Sequence, residues 1–279
     1  MCFLCTFFVT YVIIIVVLRG NIMTRIDVNY TGGYENLFAL KKGNHALFST
    51  MKISNEEFLL KVFKRCSEEK IKVVDRLLDL SYNGIHAFPV GKVYVHGRDE
   101  GYLCHYHMDA VDFSDALSLF FPYNLKYQAT FDTSSQLRFL HQNGFIANDI
   151  RLNNNILSCS SHHGMMVDFE DMILEDDYVK KGASYRFYDE KREVLPSSKW
   201  DDAKKQFICN TSLLTGINFE SIVISKSQAE FLSYFHFDKE VYDFSSSLFE
   251  NEKIHYFDEI APKFQDEEKV NYYVKQLKI

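Results

Sequence analysis

Proline and glycine are scarce in this chain, at 4 and 12 of 279 residues, which argues against disordered and repeat architectures. No internal repeat and no low-complexity stretch is present. Basic residues are not in excess: 31 Lys and Arg face 38 Asp and Glu, a net charge of −7. That balance counts against a nucleic-acid-binding surface and suits a soluble acidic protein. Cysteine does not form a framework. Cys2, Cys5, Cys66, Cys104, Cys159 and Cys209 are scattered, as expected of reduced thiols that mostly serve as small buried hydrophobes. Cys2 and Cys5 make a C-x-x-C inside an apolar run with no βαβ context, so neither a redox nor a zinc role is expected of them.

Charge is missing altogether from Met1 to Leu18. Such a run is just long enough for a membrane-spanning helix. No basic segment precedes it and no small-residue cleavage site follows, so a secretory signal fits poorly. Arg19 and Arg25 flank its C-terminal side, which by the positive-inside tendency leaves the globular part in the cytoplasm. Two readings stand side by side: residues 1–18 anchor the protein in a membrane, or translation starts at Met23 and residues 1–22 are not part of it.

Apolar and aromatic residues are abundant, at 47% and 15%, with 25 Phe and 17 Tyr. They can bury a sizeable core, and the length is comfortable for two packed lobes. Short strands are expected at Phe38–Leu40 and Ala46–Phe48, with Gly43 in the turn between them. Another is expected at Phe58–Phe63, an apolar run broken by Lys61, which must snorkel along its stem or meet an anion. Ser67 caps a helix running to about Leu80, with Glu68 and Glu69 at its positive end and Ile71, Val74, Leu77 and Leu78 on one stripe. Phe88–Val95 and Gly101–Tyr106 read as a hairpin around a polar turn at 97–100. His105, His107 and Asp109 alternate as metal ligands would on a strand, but without a fourth ligand they read as connecting and surface residues. Helices are expected at Ser114–Phe121 and Ser134–Asn143, the second stopped by Gly144. A polar stretch follows from Glu170 to Ser198. A further helix is expected from Lys199 to Gly216, apolar from Phe207 to Leu214, and Asp202 near its start is placed to cap it.

The segment richest in chemistry lies mid-chain: Ala147-Asn148-Asp149-Ile150-Arg151-Leu152-Asn153-Asn154-Asn155-Ile156-Leu157, then Val167-Asp168-Phe169-Glu170. Taken singly, Asp and Asn are ordinary loop residues, because they hydrogen-bond their own backbone. Together they match a phosphoryl-transfer site, which positions a hydroxyl and holds Mg²⁺ on phosphates. Asp149 would orient or deprotonate the hydroxyl, and Asn154 and Asp168 would supply hard oxygen ligands to Mg²⁺.

This run resembles the HRD-x-x-x-x-N and DFG motifs of the protein kinase-like superfamily. The resemblance covers about Leu37 to Gly216. It implies an α+β, bilobal kinase-like fold, with a small β-rich N-lobe at 30–109 and a mainly helical C-lobe at 110–279. It implies ATP and Mg²⁺ as cofactors, with Lys61 on the α- and β-phosphates, braced by an acid of the following helix, Asp75 or the earlier Glu69. It also implies a phosphate-covering loop, of which Gly43 is the one glycine present, a hinge near His105–Asp109, and a tie from Asp202 to the catalytic-loop backbone. The pattern is broken in places. Ala147 and Asn148 replace the His and Arg of HRD, Glu170 replaces the DFG glycine, and no Ala-Pro-Glu follows. Arg151 stands two residues past Asp149 where protein kinases carry lysine, and can still offset γ-phosphate charge bidentately. The acceptor implied is the Ser/Thr hydroxyl of a protein. A small-molecule acceptor of the choline or aminoglycoside type is the alternative, with an acidic pocket at Glu170–Asp177, and a non-catalytic nucleotide-binding module is the third reading.

Overall fold

A run such as Val12-Ile13-Ile14-Ile15-Val16-Val17 is stiff at χ1 and fits a pleated strand better than a helix. The computed structural model describes residues 5–9, 12–19, 22–30, 46–53, 56–80, 82, 84, 86–95, 98–176, 198–251 and 253–277, with backbone alone for 5–30. The chain divides into two compact units, Met1–Met108 and Asp109–Ile279, and each mixes helix with sheet.

In the first unit the uncharged N-terminal run forms strands β1 (Cys5–Val9) and β2 (Val12–Arg19), paired antiparallel, with β3 (Ile22–Tyr30) next to β2. The helix expected over residues 1–18 is therefore corrected to strand over its described part. Among the described residues no helix is long and apolar enough to cross a membrane. Met23 lies inside β3. Strands β4 (Ala46–Ile53), β5 (Glu56–Phe63), β6 (Gly91–Val95) and β7 (Arg98–His105) complete a seven-stranded sheet in the order β1-β2-β3-β6-β7-β5-β4. Only β3 and β6 run parallel within it, among the described pairings. The strand expected at Phe38–Leu40 and the turn carrying Gly43 lie outside the described residues. Arg98–Glu100, expected as a turn, belong to β7.

Helix α1 (Glu68–Leu78) opens on Ser67, whose hydroxyl accepts the Lys70 N–H, and buries Val73, Val74 and Leu77. Val74 packs with Phe63, Tyr102 and Cys104, and Ile71 and Leu78 cover that cluster. Gly101 lies opposite Val62 of β5, where a Cβ would stand 2.0 Å from the Lys61 carbonyl oxygen. That contact is with backbone, so nothing flexible can yield. Gly101→Ala is expected to cost about 1–3 kcal/mol as overpacking, read as a lower denaturant midpoint at unchanged slope.

The second unit begins with β8 (Ala110–Asp112) and α2 (Phe113–Ser118). Helix α3 runs from Tyr123 to Gln142, three turns longer at its start than the sequence pattern suggests. Its buried positions include Thr130, Thr133, Ser134 and Gln136, so the apolar period that marks a helix is interrupted. Gly144 follows at φ +80°, in the left-handed region that glycine enters freely. The short strand β9 (Phe145–Ile146) leads into the motif segment, and β10 (Asn155–Ser158) and β11 (His163–Met166) form a hairpin beyond it, with β8 on the outer edge of β10. β12 (Ile173–Leu174) pairs with β9.

Helix α4 (Lys199–Thr215) is the axis of this unit: every residue from Ala203 to Leu214 except Lys204 is buried, along with Asp201 and Asp202. It is capped by Ser198, not by Asp202, and stops at Gly216 with φ +72°. Around it pack α5 (Phe219–Ser225), α6 (Gln228–Ser233), α7 (Lys239–Glu250) and α8 (Glu267–Gln276). Phe207 of α4 meets the rings of Phe235, Phe249 and Phe257 at 5.2, 5.9 and 6.0 Å. Each fully buried ring of this kind contributes roughly 1.5–3 kcal/mol through burial.

Candidate active site

The motif segment is held from behind before it presents any group forward. Asp202, fully buried in the first turn of α4, accepts the Ala147 N–H at 2.5 Å and the Asn148 N–H at 2.9 Å. His141, near the end of α3, brings Nε2 to 3.1 Å from the same carboxylate. The Lys205 ammonium, one turn along α4, donates to the Asn148 carbonyl at 2.6 Å. Burial pushes the Lys205 pKa down, and the facing carboxylates of Asp202, Asp201 and Asp149 oppose that shift. Asn148 adopts φ +66° and donates its side-chain amide to the Asp171 carbonyl at 2.9 Å. Its N–H, its C=O and its side chain are thus all engaged.

Asn is one of the few non-glycine residues that tolerate the left-handed region, so the residue type at 148 is chosen by backbone geometry. Asn148→Ala removes the bond to Asp171 and strains the backbone, and is expected to cost about 2 kcal/mol. Asn148→Gly relieves the strain and is expected to cost about half as much. Chemical denaturation of the two variants side by side measures the difference.

Pinned this way, Asp149 carries the forward-facing carboxylate. Asn154 donates its side-chain amide to Asp149 Oδ2 at 3.0 Å and to the Asp149 carbonyl at 2.8 Å. Arg151 donates Nε to Asp149 Oδ1 at 2.5 Å, from a side chain that is half exposed. Leu152 and Asn155 close the turn, the first through its N–H to Glu220 and the second through its amide to the Arg151 carbonyl.

Asn154 and Asp168 are brought together by the β10–β11 ladder. Asn155 pairs with Met166 in register, and just beyond it Val167 donates its N–H to the Asn154 carbonyl at 2.9 Å. Asp168 follows in the left-handed conformation, φ +72° and ψ +57°, and Phe169 is buried behind it. The two residues that could hold a cation therefore stand on adjacent strand ends. Because Asn154 spends its amide NH₂ on Asp149, its carbonyl oxygen is the group left for a metal. An amide oxygen and a carboxylate are a hard-oxygen pair of the kind Mg²⁺ accepts when phosphates and water complete its shell. Among the described residues no three His, Cys, Asp or Glu side chains gather as a metal site.

Of the residues expected around a nucleotide, Lys61 lies in β5 of the first unit and is 2% exposed. Its cross-strand neighbours are Phe48 and Tyr102, whose ring centres lie 5.2 and 5.6 Å from its Nζ. Such ring contacts favour an ammonium within an apolar strand. Asp75 does not serve as its partner: it faces Lys92, which also bonds Asp99 at 2.8 Å. The physical reason is helical phase, since Val73, Val74 and Leu77 take the buried face of α1 and Asp75 falls outside it. Burial draws the Lys92 ammonium down, but Asp75 and Asp99 together raise its pKa above the usual value. Glu69 lies exposed in the first turn of α1. Gly43 is outside the described residues, as is Asp177 of the expected acidic pocket. His105 packs its ring on Phe58, and Asp109 accepts the Ser158 hydroxyl and the Ser160 N–H.

The sequence pointed to Asp149, Asn154, Asp168 and Asp202 but not to their supports. Lys205, a lysine just ahead of the apolar run Phe207–Leu214, is the signal that could have found one of them. His141 shares a helix face with Leu137 and Leu140, which marks it only as a core residue, and Glu220 gives no signal of its own. No family model matches the chain, and a search of curated proteins finds no match.

Proposed function

We propose that the chain is a protein kinase-like phosphotransferase that moves the γ-phosphoryl group of ATP to a hydroxyl, with the Ser or Thr of a protein as acceptor. The observation that carries this reading is the joint placement of Asp149, Asn154 and Asp168 on one hydrogen-bonded scaffold anchored by Asp202. Asp149 orients the acceptor hydroxyl and takes its proton. Asn154 and Asp168 would hold Mg²⁺, which when bound neutralises charge on the transferring phosphate. Arg151 offsets the remaining charge once it turns from Asp149 to the phosphate, a geometry its guanidinium suits. The kinase-like bilobal fold belongs to this proposal, supported by the sheet-bearing first unit and the helical second one.

The Arg151–Asp149 pair favours one second reading, a module that binds nucleotide without turning it over, because it occupies the carboxylate that would act as base. Mg²⁺-dependent ADP formation from ATP by the full chain, with a mixed protein acceptor, separates the two. Turnover supports the enzyme. Nucleotide-induced stabilisation with no turnover supports the module, and neither effect sinks both.

A further inference from the structure

Tyr256 lies just before the short 3-10 turn Phe257–Glu259, far along the chain from the motif segment, yet it touches the scaffold behind it. Its hydroxyl is 3.0 Å from Nδ1 of His141, whose Nε2 is 3.1 Å from Oδ2 of Asp202. Both Asp202 oxygens already receive backbone N–H groups, from Ala147 and Asn148. They act as acceptors, so the Nε2 facing them must carry a proton. In a neutral imidazole the other nitrogen is then bare and needs a donor. The Tyr256 hydroxyl is the donor in reach, and burial, the largest influence on it, raises its pKa and keeps it protonated.

Tyr256 is itself held in place by its neighbours. The Arg138 guanidinium sits 4.4 Å from its ring centre and bonds Asp258 at 2.7 Å and Glu259 at 3.2 Å. The Tyr256 N–H donates to Glu259 at 3.2 Å. Asp258 exchanges hydrogen bonds with Ser134 of α3.

We propose that Tyr256 is a positioning residue: through His141 it orients the Asp202 carboxylate, and through Asp202 it sets the backbone that aims Asp149. Its consequence for turnover rests on the phosphotransfer reading. Its consequence for the loop does not.

Nitrogen-15 NMR of the histidine-labelled full chain tests the proton order directly. In the wild type His141 is expected with its proton on Nε2 and none on Nδ1; a proton on Nδ1 overturns the proposal even if no variant folds. In Tyr256→Phe the single tautomer is expected to be lost, and the Ala147 and Asn148 amides to exchange about tenfold faster. Exchange within about twofold of wild type in that variant also overturns it. His141→Gln offers Asp202 an amide N–H that needs no tyrosine. Adding Tyr256→Phe to it is expected to leave those two amides unchanged, as a path through His141 requires; a further acceleration would place the effect of Tyr256 elsewhere. Faster loop exchange in a protein whose wild type never turns over ATP would strike the phosphotransfer reading alone.

Discussion

Asp149→Asn is expected to lower ATP turnover by about 10²–10⁴-fold, the usual worth of a positioned general base. Asparagine keeps the size of the side chain but cannot take a proton. It also faces two donors, Arg151 Nε and the Asn154 amide, with only one oxygen to satisfy them. The amide must turn its NH₂ toward one of the two, so the hydroxyl acceptor loses both its base and its aligned partner. The fold is expected to survive, because the Arg151 side of the pair is half exposed and such pairs contribute about 0–1 kcal/mol. Steady-state ADP release at saturating MgATP, beside a melting curve, is the measurement. Equal turnover in variant and wild type would remove Asp149 from the mechanism.

Asp202→Ala is expected to be the most destabilising single change in the segment, at about 3–5 kcal/mol. The carboxylate is fully buried and serves the Ala147 N–H, the Asn148 N–H and His141 at once. Alanine strands all three in a dry site. It also removes from the buried Lys205 ammonium the carboxylate that most offsets its desolvation. Asp202→Asn keeps one acceptor and is expected to cost roughly half as much. Urea unfolding of both variants gives the comparison, and a loss below about 1 kcal/mol for alanine would show that water reaches the loop amides.

Much of this arrangement is legible in the sequence because local rules and site chemistry point the same way. Ser67 ahead of Glu68 and Glu69 marks α1, and Gly216 marks the end of α4. Asp149, Asn154 and Asp168 are legible as a spacing, and Asp202 as a carboxylate in a helix's first turn. What was not legible depends on contacts distant in sequence. The first half of α3 hides behind buried Thr and Ser residues, which break the apolar period. The valine and isoleucine run near the N-terminus has the length of a membrane span but the side chains of a strand, and pairing with β3 decides it. Of the two acids Asp75 and Glu69, Asp75 looks the better placed until the phase of α1 and the position of Lys92 are known. His141 is an apolar-face histidine until Tyr256 and Asp202 arrive from residues far along the chain.

The seam between α3 and α4 works like a key cut to one lock. Asn210 donates to the Thr130 carbonyl at 3.1 Å, Thr133 to Asn210 at 3.2 Å, and Gln206 to Thr133 and Asn210 at 3.0 and 2.9 Å. Greasy helix pairs can slide by a turn and repack, whereas this pair has one register in which its teeth engage. The same Gln206 amide reaches Asn155 at 3.4 Å, and Asn155 holds the Arg151 carbonyl. The teeth of the helical core and the turn bearing Asp149 therefore belong to a single mesh, and a slip at the first is carried as misalignment to the second.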